Sequence, residues 1–215
     1  MNENGNRYFI SGFKPIDLNS YIRNCIGKLP KGVPECIKMA MIDEEEVELE
    51  HAWAWVDGES INGIHIRILA AESFQDNQMS IFIPWMASGI DIYLAYAFMN
   101  AVADKHPEAK FTACDENGND TLEAIEISDE ARDEEILRRL NIIALLLELP
   151  EKFVNIPCMA GQWKMDLNHY RKDFDNVPLE GQVTKVMYDI VDFIWYQEHP
   201  ELDKISDEYE RQLPS

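Results

Sequence analysis

Between Glu46 and Val56 the residues alternate without a break, with Val47, Leu49, His51, Trp53 and Trp55 on one side of an extended chain and Glu46, Glu48, Glu50, Ala52 and Ala54 on the other. A period of two belongs to a half-buried β-strand. Asp57-Gly58 supplies turn chemistry, and the next run sets Ile64, Ile66, Ile68 and Ala70 against His65, Arg67 and Leu69. The pair predicts an antiparallel hairpin. Flanking runs Cys36 to Ile42 and Met79 to Ile83 extend it to a four-stranded meander. Such a layer cannot bury its apolar face alone, so a second layer must cover it.

Helices supply that layer. Ile90, Tyr93, Leu94, Ala97, Phe98, Ala101 and Val102 fall at offsets 0, 3, 4, 7, 8, 11 and 12, one stripe of a helix. Ser88 and Asp91 form a capping box before it, and His106-Pro107 stops it. Other stretches read less strongly: a strand at Tyr8 to Phe13, a helix from Asp17 to about Leu29, and a hairpin of Lys110 to Cys114 with Leu122 to Ile127. Ser128 caps a helix that begins acidic, as the helix dipole favours, turns apolar from Leu140 to Leu147 and ends at Pro150. Leu179 to Glu198 carries a further stripe through Val183, Val186, Met187, Ile190, Val191 and Ile194, and a short polar helix closes the chain. The His-Pro-Glu shared by residues 106–108 and 199–201 is ordinary helix-stop chemistry rather than a repeat. The expected fold class is therefore α+β, an antiparallel sheet of about four to six strands packed against several amphipathic helices, with the C-terminal half mainly helical. Residues 1–215 read as one domain, with 1–107 and 108–215 as its candidate sheet-rich and helix-rich subdomains.

No unbroken apolar run approaches the roughly 20 residues that span a bilayer, and the polar N-terminus lacks a secretory pattern. Cys25, Cys36, Cys114 and Cys158 form no C-x-x-C pair and are too sparse for a disulfide scaffold. These features lead to the expectation of a cytoplasmic protein with free thiols and no membrane partner. Charge is the global anomaly. The chain carries 40 acidic and 19 basic residues, net −21, and residues 108–215 hold −14 of it (11 basic against 25 acidic). Such a field repels nucleic-acid phosphates and attracts basic proteins, so nucleic acid is not expected as a partner and a basic protein is.

Signature motifs for phosphate loops, dinucleotide folds, zinc helices and nucleophile elbows are absent from the sequence. Two weaker constellations remain. Asp115 to Glu126 places oxygen-bearing side chains at positions 1, 3, 5, 9 and 12 of a calcium-loop spacing. Asp120 stands where such a loop needs glycine, and Lys110 to Cys114 reads as an entering strand, so an acidic hairpin turn is the better reading. No metal and no cofactor are expected. The second lies on a helix expected from Gln162 to Phe174, where Trp163 belongs to the core stripe and Asp166, His169 and Asp173 share a flank. Two carboxylates around an imidazole suit a general base or a cation, and solvated ion pairs with Arg171 and Lys172 explain the same residues.

The leading functional expectation is a protein that binds another macromolecule, a basic protein, as an immunity-type inhibitor or accessory factor does. Its contact is expected at Asp133, Glu134 and Glu135, read as the exposed acidic first turn of a well-buried helix, with Trp163, Asp166, His169 and Asp173 as a second candidate surface. The alternative is a hydrolase or small-molecule-binding enzyme with scattered carboxylates and His169. His51, on the tryptophan face, is expected to be a buried, hydrogen-bonded imidazole.

Overall fold

The computed structural model describes residues 5–14, 16–24, 37–42, 49–69, 78–114, 120–173 and 176–198. The acidic run Asp43 to Glu46, Cys25, Cys36, the tip of the 115–126 loop and the expected C-terminal helix lie outside these residues. In chain order the elements are β1 (Gly5–Ser11), α1 (Leu18–Asn24), β2 (Ile37–Ile42), β3 (Leu49–Val56), β4 (Ile64–Leu69), β5 (Gln78–Pro84), α2 (Gly89–Lys105), β6 (Lys110–Cys114), β7 (Asp120–Ala124), α3 (Asp129–Glu148), β8 (Phe153–Cys158), β9 (Gly161–Asp166), α4 (Leu167–Asp173) and α5 (Leu179–Glu198). They form two compact units, residues 1–139 and 140–215.

The first unit is built on a seven-stranded antiparallel sheet of order β2-β3-β4-β5-β1-β6-β7. The meander read from the sequence is its first four strands. β1 then inserts beside β5, with Tyr8 opposite Ile81, and β6 pairs on its other side. The β6–β7 hairpin thus completes a sheet begun in the N-terminal half, and the unit runs on to Arg139.

One face of this sheet is the core. Ala52, Ala54, Val56, Ile64, Ile66, Met79, Ile81, Ile83 and Ile10 are fully shielded and pack with α2. The face of β3 turned inward is therefore its small one, and the alanines leave room for a helix at close range. Trp53 and Trp55 stand on the opposite face, half-buried. The sequence assigned one stripe of α2 to the core, yet Ile92, Ala95, Tyr96 and Met99 are buried as well. Residues 92–99 are apolar without interruption, and a helix apolar on all sides has to be covered on all sides. α1 packs along it, and Ala131 and Ile136 of α3 join the same cluster.

The ends of α2 follow the sequence chemistry. Ser88 and Asp91 form the capping box, and His106 is the C-cap, its N–H bonded to the Val102 carbonyl at 2.8 Å. The buried His106 ring accepts the Lys14 N–H at Nδ1 (3.4 Å) and meets the Tyr21 hydroxyl at Nε2 (3.1 Å), tying α1 and the segment after β1 to the helix. Asp91 does more than cap. Its carboxylate is fully buried and accepts N–H bonds from Ile61 (3.1 Å), Asn62 (3.3 Å), Gly63 (3.1 Å) and Ser88 (2.9 Å). The β3–β4 loop is thereby folded around a helix terminus. Gly63 sits at φ +65°, and a Cβ there would lie 2.5 Å from the Ala54 carbonyl, so only glycine permits the turn.

In the second unit, residues 153–166 form the two-stranded β8–β9 hairpin, with Ile156 opposite Trp163 and Val154 opposite Met165. This corrects the expected helix from Gln162 to Phe174: the segment is strand to Asp166 and helix only from Leu167. Gly161, at φ +113°, starts β9 directly after the turn, and the fully buried Met165 lies off the helical stripe that Trp163, Leu167 and Tyr170 suggested. Val183, Val186, Ile190 and Ile194 form the buried stripe of α5, as its periodicity indicated. Tyr170 donates to Asp189 at 2.5 Å, and Lys185 pairs with the same carboxylate.

Burial raises the Asp91 carboxyl above the ordinary aspartate range, against hydrogen bonds from Ser60, Ser88, Asn62 and Ile61 that favour the charged form. A carboxyl raised in the folded state contributes stability that is complete below the unfolded pKa of about 3.9 and is lost as pH rises through the folded value. Asp91→Asn leaves loop N–H groups without acceptors and is expected to destabilise the protein by about 2–3 kcal/mol. Because Asn does not titrate, the stability gap between wild type and variant, followed by urea denaturation, narrows as pH rises from 4. A gap that widens would mean that the hydrogen bonds outweigh burial.

Candidate functional site

Asn6 on β1, Tyr96 on α2, and Glu134, Glu135 and Arg138 on α3 meet at one end of the first unit around a cleft of about 610 Å³. The site begins with how α3 is held. Ser128 caps the helix, its hydroxyl accepting the Ala131 N–H at 3.2 Å. One turn further on, Glu135 points inward and is 2% exposed. Its carboxylate takes the Asn6 side-chain amide at 2.8 Å, Arg138 at 2.9 Å and Arg139 at 2.7 Å. Arg139, also buried, donates from Nη1 to the Trp85 carbonyl at 3.0 Å. Trp85 thus takes part through its backbone, at the connection from β5 to α2.

Tyr8 and Tyr96 form the wall beside this ion pair, their rings edge to face at 6.3 Å. Burial, reinforced by the Glu135 charge, pushes the Tyr8 hydroxyl above its ordinary range. Burial first, then Tyr8 and Glu135, pushes Tyr96 further still. Both hydroxyls stay protonated at physiological pH and act as hydrogen-bonding groups, not as bases. The oxygens of Glu135 are occupied by an amide and two guanidinium groups. The interior of the cleft is therefore a fixed polar lining, and its open carboxylates are those of Glu126 and Glu134 at the rim.

Asp133 and Glu134 are exposed as expected; Glu135 is not. They lie in the second helical turn, because α3 begins at Asp129, and the turn from 133 to 135 spans outer and inner faces of the helix. The exposed acidic surface gains other members instead. Glu123, Glu126, Asp129, Glu130, Asp133 and Glu134 are all exposed within twelve residues. Arg132, the one cation among them, pairs with Asp129 (2.5 Å) and Asp133 (2.8 Å) and lies over the Tyr93 ring at 4.1 Å. Leu122 stands beside them on β7, 81% exposed with φ +60°.

In the second constellation only His169 and Asp173 stand on a helix. Trp163 is half-buried on β9, and Asp166 ends that strand, accepting the Asn168 N–H at 3.0 Å as α4 starts. His169 is exposed on α4 against the Tyr170 ring at 5.1 Å. Asp173 is the last residue of α4, and its side chain is outside the described set. Asp166, His169 and Asp173 therefore do not share one helical flank, because strand geometry up to residue 166 sets Asp166 on a different element. Among the described residues no group of three His, Cys, Asp or Glu side chains is placed to hold a metal ion. The segment with calcium-loop spacing follows strand β6 and contains strand β7, and Asp120 Oδ1 is engaged by the Leu122 N–H at 2.8 Å.

His51 is 4% exposed, with Nε2 3.3 Å from His65 Nδ1. Sequence reasoning missed the role of Glu135. Its signal was present as Arg138 and Arg139 at i+3 and i+4, which permits intrahelical pairing, but the inward direction depends on β1 and on the Trp85 carbonyl. Comparison with protein-family models, with curated proteins and with solved structures finds no match for this chain.

A buried ion pair is destabilising to break and often neutral to replace. Glu135→Ala should lower stability by about 3–5 kcal/mol by leaving Arg139 buried without its counter-ion. Glu135→Leu combined with Arg139→Met should recover most of that loss. Equal losses for the single and double variants in denaturant titrations would show that the two charges are not coupled.

Proposed function

We propose that this chain is a cytoplasmic protein that acts by binding a basic protein, as an immunity-type inhibitor or accessory factor would, through β7 and the N-terminal half of α3. The observation that carries this reading is the run of six exposed carboxylates from Glu123 to Glu134, with its one internal cation already paired and the exposed Leu122 alongside. Protein interfaces combine apolar anchors with a charged rim, and this surface offers both. Four of the carboxylates, Asp129, Glu130, Asp133 and Glu134, sit on a helix held by the Glu135–Arg139 pair. Little ordering is then needed on association. Among the described residues no helix is long and apolar enough to cross a membrane, which accords with a partner met in solution.

A field of this kind accelerates encounter and is screened within about 8 Å at physiological ionic strength. With a partner isolated from the native host, the association rate should fall at least about ten-fold between 50 and 500 mM salt while dissociation changes little. Asp133→Lys with Glu134→Lys should slow association about five-fold or more at low salt. Glu135 is excluded from this test because its substitution acts on folding. An association rate indifferent to salt and to these reversals would reduce the acidity to a solubility device.

A further inference from the structure

The cleft of about 610 Å³ lies beside the contact surface proposed above and shares Glu126 and Glu134 with it. Its volume falls within the range of small-molecule sites, about 300–1,000 Å³. Three features of its lining call for a ligand that carries both signs of charge. Glu126 and Glu134 are exposed and have no ion-pair partner among the described residues. Arg138, also exposed, gives Nη1 to Glu135 at 2.9 Å, and its guanidinium has no other hydrogen-bond partner among the described residues. The third feature is on the floor. Tyr8 and Tyr96, each more than nine-tenths buried, bond to one another through their hydroxyls. A bond between two hydroxyls uses one of their two protons, and no acceptor for the second stands among the described residues. A buried donor without an acceptor is unfavourable, and an oxygen brought by a ligand would satisfy it.

We infer that the cleft binds a free basic amino acid, its carboxylate on Arg138 and the spare tyrosine hydroxyl, its two cationic groups on Glu134 and Glu126. The charge count selects this class. Glu135 is balanced by the buried Arg139 at 2.7 Å, so the open charges of the cleft are two carboxylates and one guanidinium, and the complement is two cations and one carboxylate. Spacing agrees with the count. Glu134 and Arg138 stand one turn apart on α3, and side chains at i and i+4 have Cβ atoms about 5–6 Å apart, a gap that an α-ammonium and an α-carboxylate on one carbon can bridge. The second cation then reaches Glu126, which belongs to the connection between β7 and α3. Ala113, Ile125 and Ala131 give the aliphatic stem an apolar wall. A bare metal ion does not fit, because among the described residues no three donor side chains are placed to hold one. The inference does not depend on a protein partner.

The probe is L-arginine, titrated into the full chain by calorimetry. Saturable binding with Kd below about 1 mM is expected. Agmatine, which lacks the carboxylate, and L-citrulline, which lacks the side-chain charge, should each bind at least about five-fold more weakly. Glu126→Gln should weaken arginine and agmatine alike by about five-fold or more, whereas Arg138→Gln should weaken arginine by that much and leave agmatine within about two-fold. Both side chains are exposed, and near-ultraviolet dichroism checks that the fold is kept. Asp129→Asn removes the same charge from the helix outside the cleft and should leave arginine binding within about two-fold. The inference is overturned by the absence of saturable binding up to about 10 mM, by agmatine or citrulline binding as tightly as arginine, by Arg138→Gln weakening arginine and agmatine equally, or by Asp129→Asn weakening arginine as much as Glu126→Gln does. The comparison of the three ligands on the unmodified chain decides the matter even where a variant loses its native dichroism.

Discussion

A carboxylate with no access to water is held at the start of α2 by four backbone N–H groups, three from the β3–β4 loop and one from the helix cap. Removing Asp91 from water is unfavourable, and the arrangement persists because the donors that surround it have no other acceptor. The hairpin that defines the sheet and the helix that covers it are thus joined by one side chain. Ala52, Ala54 and Val56 can face inward because the helix axis is fixed at this point, and small side chains then fill the gap without strain.

With β3 oriented in this way, alternation sends Trp53 and Trp55 outward. The outward aromatic row is therefore a direct consequence of how the helix is seated, not a separate feature. The same logic applies to α3. Glu135 is drawn inward by Asn6, and Arg139 by the Trp85 carbonyl, so the helix presents Asp129, Glu130, Asp133 and Glu134 to solvent. Each exposed surface is fixed by a buried polar anchor on the opposite side of its own element.

Much of the first unit was legible where chemistry is local. The alternation of residues 49–56, the turn at Asp57-Gly58 and the Ser88–Asp91 box each specify their conformation within a few residues, and all appear in the structure. Long-range pairings were not legible. Nothing in Gly5 to Ser11 says that it lies between β5 and β6, because register there is decided by partners more than 65 residues away. Residues 161–170 failed for another reason. Trp163, Leu167 and Tyr170 fit a helical stripe, while Trp163 and Met165 fit a strand, and a short segment can satisfy both periods. Pairing with Phe153–Cys158 decided the matter, and with it Asp166 fell on β9 while His169 and Asp173 fell on α4.

The division of charge over the first unit follows from the same constraints. A sheet covered on one face by α2 leaves its other face to carry side chains that tolerate partial burial, and guanidinium, imidazole and indole groups do so by laying flat surfaces against one another. Carboxylates have no comparable apolar surface and desolvate poorly, and among the described residues Glu123, Asp129, Glu130, Asp133 and Glu134 stand exposed on β7 and the outer side of α3. A chain of strongly acidic composition thereby sets Arg7, Trp53, Trp55, His65, Arg67 and Phe82 together on one sheet face.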